Sequence, residues 1–297
     1  NGEGRAGVQL GAEVILIEEN GIGGDAVLTE VVPSKALSAT AEADKRVASA
    51  SALGVRLVVD GKRVTPTIDI DLQAINARLL QLAKSQSKDM LETLEAEGVT
   101  VVNGHGALDG NHHVLITKSG ETSSERIQAK TIIVATGARP RELASAKSDG
   151  KRILNWKQLY NIGDLPKHMI VVGSGVTGAE FASAYLDLGS KVTLVSSRDK
   201  VLPGNDGDAA ELIEDVFKRK GMNILRNARA TSVKNLGESV EVTLEGGQVI
   251  SGSHCLMAVG AIPNTANLGL EEAGVRLNEA GHVISNKVAR TSRANVY

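Results

Sequence analysis

The stretch from Leu165 to Arg198 reads Leu-Pro-Lys-His-Met-Ile-Val-Val-Gly-Ser-Gly-Val-Thr-Gly-Ala-Glu-Phe-Ala-Ser-Ala-Tyr-Leu-Asp-Leu-Gly-Ser-Lys-Val-Thr-Leu-Val-Ser-Ser-Arg. Met169 to Val172 is an apolar, β-branched run that predicts a buried parallel strand, and Val192 to Val195 is a second. Between them stands a Gly-x-Gly-x-x-Gly turn leading into a helical stretch. Gly173 permits the tight turn, Gly175 lets backbone approach a phosphate, and Gly178 lets the helix lie against the sheet. Ser174, Val176 and Thr177 fill the turn. The helix N-terminus offers unpaired N–H groups and a positive dipole end to an anion. Strand, glycine turn, helix and strand in this order predict a dinucleotide pyrophosphate site, and hence a nicotinamide coenzyme.

A chain of 297 residues is long enough for two domains, each with its own core. Its net charge of −2, without long runs of one sign, points away from nucleic acid and from anionic membrane surfaces. The apolar runs are strand-sized, so no membrane span is expected. The single cysteine, Cys255, lies in the run Cys-Leu-Met-Ala-Val and reads as an inert core thiol; this favours a cytoplasmic protein. The chain starts without methionine and stops at Ala-Asn-Val-Tyr, which reads as a fragment.

Outward from the glycine turn, Glu13 to Glu18 reads as a parallel strand, and a helix is expected to begin near Pro33-Ser34-Lys35. Leu72, Ile75, Leu79, Leu82, Met90, Leu91 and Leu94 recur at helical spacing and predict one long amphipathic helix over 72–97. Strands are expected at 99–102, 114–117 and 131–135, a polar linker at 141–152, and a helix at 208–220. Residues 1–140 and 165–262 look like two copies of one plan, ending in Ala-Thr-Gly-Ala and Ala-Val-Gly-Ala. The predicted class is α/β, with two nested three-layer Rossmann-like dinucleotide-binding folds. The expected division is 1–147 for a first nucleotide domain, 148–263 for the nicotinamide domain, and 264–297 returning to the first.

Glu18 ends its strand where a carboxylate would hold an adenosine ribose. A glycine turn should precede it, and Gly2-Glu3-Gly4-Arg5-Ala6-Gly7 matches that pattern by letters. We reject the match, because no strand comes before it and too few residues separate it from the next strand for a crossover. The first strand and its phosphate loop are therefore expected to lie outside this chain.

Gly23-Gly24-Asp25-Ala26-Val27-Leu28-Thr29-Glu30-Val31-Val32-Pro33-Ser34-Lys35 resembles a segment of the flavoprotein disulfide reductases, the dihydrolipoamide dehydrogenase family. There the segment reads Gly-Gly-Thr-Cys-Leu-Asn-Val-Gly-Cys-Ile-Pro-Ser-Lys. The resemblance continues through Ala135-Thr136-Gly137-Ala138-Arg139-Pro140, the glycine turn, and Val259-Gly260-Ala261-Ile262-Pro263-Asn264-Thr265. It implies an FAD site with contacts at Glu18, Gly24, Lys35, Gly106, Ala135, Thr136 and Gly137. It also implies that Lys35 lies beside the reacting flavin, paired with Glu180. The same resemblance puts Ala230 and Gly260 near the nicotinamide half. Both redox cysteines of the family are replaced, by Ala26 and Val31. A dithiol relay needs a nucleophilic thiolate and a second sulfur within bonding reach. Without one, electrons on a flavin would have to leave from the flavin itself.

The strand end that selects the coenzyme carries Ser196, Ser197 and Arg198, and no carboxylate. Hydroxyls and a guanidinium suit the 2′-phosphate of NADPH, with NADH left open. Val176 takes the place where some relatives put a gating tyrosine. His112 and His113 adjoin in a probable strand and point to opposite faces, so no metal site is expected. The reading is an FAD-dependent enzyme passing hydride from NAD(P)H to a quinone or another small acceptor. It resembles the quinone-reductase branch of the family. The alternatives are a soluble pyridine nucleotide transhydrogenase and a non-catalytic nucleotide-binding homologue. In the family, a Gly-Asp flavin motif and a dimerisation domain follow the last residues seen here; a homodimer is expected for the full-length protein.

Overall fold

The computed structural model describes residues 2–65 and 67–297. Contacts divide the chain into two compact units, one of Asn1–Leu28, Ala83–Arg139 and Ala261–Tyr297, the other of Thr29–Leu82 and Pro140–Gly260.

The second unit is built on a parallel sheet. Among the described residues its order is Asn223–Leu225, Lys191–Val195, His168–Val172, His254–Met257 and Ile153–Leu154. Side chains alternate across the sheet. Met169, Val171, Val192, Leu194 and Leu256 enter one core with Leu37, Leu72, Leu79, Phe181 and Tyr185 from the helices Val31–Ser49, Leu72–Ala96 and Val176–Asp187. Ile170, Val172, Val195, Cys255 and Met257 enter the opposite core with Val233, Val240, Val242 and Leu244. Those four belong to an antiparallel meander of Ala230–Asn235, Val240–Leu244 and Val249–Gly252. Helices, sheet and meander thus form three layers, and the strands, covered on both faces, are apolar at most positions.

The long helix spans Leu72–Ala96, as its periodicity predicts, and Asp71 accepts a hydrogen bond from Ala74 N at 2.8 Å at its start. Its buried side also carries Asn76, whose Nδ2 donates to the carbonyl of Ile162 at 2.9 Å. The helix near Pro33 begins slightly earlier than expected, at Val31.

In the first unit the strand Ile15–Glu18 pairs in parallel with Thr100–Leu108, which continues antiparallel through His113–Lys118 to Glu125–Gln128. Residues Gly2–Gln9 form a helix, so the rejected hexapeptide is helix interior and not a phosphate loop. The expected strand at 131–135 is reduced to a parallel bridge between Ile132 and Val296. Its hydrogen bonds run to the last residues, from Ile132 N to Asn295 O and from Val134 N to Tyr297 O, and no longer ladder forms. Ile132 and Val296 share a core with Leu268, Leu270 and Val275. Among the described residues no helix is long and apolar enough to cross a membrane.

Candidate coenzyme site

The glycine turn joins the strand His168–Val172 to the helix Val176–Asp187 within the second unit. Gly173 has φ +115°, and a methyl built on it would stand 2.1 Å from the carbonyl oxygen of Ala258. A methyl on Gly178 would stand 1.9 Å from the carbonyl oxygen of Gly173. Both are glycine because neighbouring backbone fills the space. Gly175 differs: a methyl there meets no described atom within 4 Å. It caps the helix with extended φ and ψ and no side-chain hydrogen bond, so no capping side chain takes up the first-turn N–H donors. Val176 is exposed, Thr177 half-buried and Ser174 buried beneath the turn.

The strand end departs from expectation at Ser196, which is wholly buried. Its hydroxyl lies 2.8 Å from Ser174 Oγ, within 3.0 Å of Arg198 O and 3.2 Å of Lys200 O, and accepts from Arg198 N at 3.1 Å. Leu202 N donates to Ser174 O at 2.8 Å. Ser196 therefore ties the strand-end loop to the glycine turn and is turned away from solvent. Ser197 and Arg198 are exposed. Ala230 is half-buried where the meander register shifts; Gly260 is exposed with φ +100° and accepts from Arg141 N at 3.0 Å.

Lys35 and Glu180, far apart in sequence, meet in this unit. Lys35 Nζ donates to Glu180 Oε1 at 2.5 Å, and Ser34 Oγ donates to the same oxygen at 3.0 Å. Ser34 was not among the residues singled out from sequence; beside a proline it reads only as a helix-start residue. Tyr160 is buried in the same core, and burial first, then the neighbouring Tyr185 and Glu180, push its phenol well above the usual range. Cys255 is wholly buried, its thiol pushed up by burial, with Sγ 3.7 Å from Met257 Sδ.

In the first unit Glu18 ends its strand, and its Oε1 accepts from Asn20 N at 2.8 Å, which fixes the carboxylate at the turn. Gly24 has φ +55° and open space beside it. Gly106 lies in the long strand, where a methyl would come 3.1 Å from Ile17 Cδ1. Gly104, which sequence reasoning passed over, is more constrained: a methyl there would meet Thr117 O at 2.4 Å. Ala135, Thr136 and Gly137 are exposed, and Gly137 has φ +67°. Thr136 Oγ1 donates to Asn264 O at 2.7 Å, Asn264 Nδ2 donates to Thr136 O at 3.0 Å, and Asn264 N donates to Gly137 O at 2.9 Å. Two of the motifs quoted above are thus bolted together.

Residues 4–297 match the family described as pyridine nucleotide-disulphide oxidoreductase. The chain belongs to that family. Among curated relatives, the NAD(P)H dehydrogenase (quinone) of Mycobacterium tuberculosis is 42% identical over 291 residues, covering 96% of this chain and 58% of the relative. The dihydrolipoyl dehydrogenase of Zymomonas mobilis is 31% identical, covering 97% and 61%. The crystal structure of LpdA from Mycobacterium tuberculosis superposes with TM-score 0.90 at 40% identity, over 99% of this chain and 62% of that one. The flavoprotein disulfide reductase RclA of Escherichia coli, at 24% identity and TM-score 0.81, shares the fold. The chain spans about three fifths of the length of the relatives it matches.

The family implies FAD and a nicotinamide nucleotide, and the residues suit both. The open side of Gly175, beside uncapped helix N–H groups, is a cradle that a Cβ would fill and a pyrophosphate can enter. Glu18, held at its strand end, suits ribose hydroxyls. Lys35, whose Nζ is bonded to Glu180, has the positive charge that would suit a flavin ring gaining negative charge on reduction.

Proposed function

We propose that the protein of which this chain is part is an FAD-dependent oxidoreductase that takes hydride from NAD(P)H and reduces a quinone-type acceptor directly, without a redox disulfide. The flavin would accept hydride from the nicotinamide and release two electrons to the acceptor. The balance is NAD(P)H and a proton plus quinone giving NAD(P)+ and hydroquinone. Gly173, Gly175 and Gly178 with the helix N-terminus would hold the nicotinamide nucleotide, while exposed Ser197 and Arg198 favour a 2′-phosphate, hence NADPH over NADH. Glu18, Gly24, Gly106 and Ala135 to Gly137 would serve the FAD. Glu180 would hold Lys35 where its charge favours flavin reduction. The proposed division into nucleotide domains follows the expectation above, and a homodimer is the proposed assembly.

One observation carries the acceptor assignment. The only cysteine of the chain is sealed in the parallel sheet, while Ala26 and Val31 stand at the family's two thiol positions. A protonated, buried thiol with no partner sulfur cannot relay electrons. The relative named NAD(P)H dehydrogenase (quinone) supports the same reading.

The test is anaerobic reduction of the full-length, FAD-loaded protein by NADPH, followed by rapid mixing with menadione or with lipoamide. Fast reoxidation by menadione, none by lipoamide, and no effect of a thiol-blocking reagent are expected; turnover with lipoamide would overturn the reading. Exposed Ser197-Arg198-Asp199 also suits a transhydrogenase, which rapid reduction of thio-NAD by NADPH would favour instead.

A further inference from the structure

Lys35 is a poor candidate for a fixed charge when taken alone. Its side chain is 63% exposed, on a flexible four-carbon stem, whereas Glu180 is 20% exposed. What fixes the lysine is therefore whatever fixes the glutamate. Among the described residues Glu180 has two donors, Lys35 Nζ at 2.5 Å and Ser34 Oγ at 3.0 Å, and both reach Oε1. Ser34 is only 3% exposed, so water does not compete for its hydroxyl. Its other acceptor, Val31 O, lies at 3.4 Å, too far to be the better bond. The Ser34 backbone is held in turn by a hydrogen bond to Glu30 O at 2.9 Å. Buried Tyr160, close enough to feel the charge on Glu180, gives it no hydrogen bond.

We infer that Ser34 is a positioning residue: its buried hydroxyl pins one carboxylate oxygen of Glu180, and that oxygen holds the Lys35 ammonium in place. The inference rests on the proposed function, in which the Lys35–Glu180 pair serves flavin reduction. A buried hydroxyl that donates to a carboxylate makes one of the stronger hydrogen bonds of a neutral donor. Its loss leaves Glu180 free to turn about its terminal bond and releases the lysine.

The test compares Ser34→Ala, Ser34→Thr, Lys35→Met and Glu180→Gln in the full-length protein. Two quantities are measured: the rate of flavin reduction by NADPH in the FAD-loaded form, and the acylation rate of Lys35 in the FAD-free form, located by mass spectrometry. Ser34→Ala is expected to slow flavin reduction about tenfold, the scale of one charge-assisted hydrogen bond. It should also speed Lys35 acylation severalfold, as Glu180→Gln does. NADPH affinity stays unchanged, and Ser34→Thr, which keeps the hydroxyl, restores both rates. If Lys35→Met and Glu180→Gln slow reduction while Ser34→Ala moves neither quantity, the inference fails and the pair keeps its role. If Lys35→Met and Glu180→Gln also leave reduction unchanged, the role of the pair fails and the inference goes with it. A Ser34→Thr variant that folds, by its unfolding temperature, yet behaves as Ser34→Ala would also overturn it.

Discussion

At the scale of single residues, the three glycines of the turn do different work, and substitution separates them. Alanine at Gly178 would drive a methyl against the Gly173 carbonyl, where no side chain can yield. Gly178→Ala is expected to destabilise the protein by about 2 kcal/mol or more, the cost of forcing atoms into packed backbone, read from chemical unfolding. Gly175→Ala meets open space and should leave stability within about 0.5–1 kcal/mol. The same variant occupies the pyrophosphate approach, so NADPH binding followed by calorimetry should weaken at least about tenfold. Equal losses of stability in both variants would refute the distinction. Ser196 shows the limit of reading a residue by its position alone. It stands where a ribose-binding side chain would, yet its hydroxyl is spent on Ser174 and the loop carbonyls.

Among elements, the helix Gly207–Arg219 is held at both ends. Asp206 caps it, accepting from Asp208 N and Ala209 N at 3.1 and 3.2 Å. Glu214, with its side chain 1% exposed, takes Arg226 Nε at 2.7 Å and Lys218 Nζ at 3.0 Å. Burial alone would raise the Glu214 carboxyl, but Lys218, Arg226 and the N–H of Val201 hold it below the usual range. Glu214→Ala should therefore cost about 3 kcal/mol, the lower end of the range for a broken buried pair, because both cations can turn toward water. Glu214→Gln should lose less, and equal stability of the alanine variant and the parent would contradict this account. The long helix and the helix after the glycine turn were legible in the sequence because local periodicity and turn chemistry determine them. The 131–135 run was not: an apolar stretch announces burial, but whether it becomes a ladder depends on a neighbour from elsewhere in the chain, here only the segment ending at Tyr297. The Lys35–Glu180 pair became legible only through family resemblance, since no spacing rule joins residues so far apart. Ser34 and Gly104 escaped because their constraint comes from what lies opposite them in space.

For the whole molecule, stability should depend on pH through buried histidine. His254 Nε2 lies 3.3 Å from Arg152 Nη1, which can only donate, so the neutral ring carries its proton on Nδ1 toward Ser253 Oγ at 3.2 Å. Burial, then the Arg152 charge, lowers His254 from 6.5 to about 4, and burial and Lys191 lower His168 as well. A folded value below the unfolded one means that protonation favours the unfolded chain. The stabilisation is complete above pH 6.5 and is lost as pH falls toward 4. Between pH 7 and 5 the loss from His254 should be about 2 kcal/mol, and His254→Gln should remove that part of the slope in urea unfolding. An unchanged slope in the variant would contradict it. The burial of Cys255 has a practical corollary. With its one native thiol shut inside the sheet and its surface silent toward maleimides, the chain can host a single chosen label without prior cysteine removal. Cysteine introduced at exposed Leu212, on the helix Gly207–Arg219, would let a fluorophore or spin probe report on that helix alone.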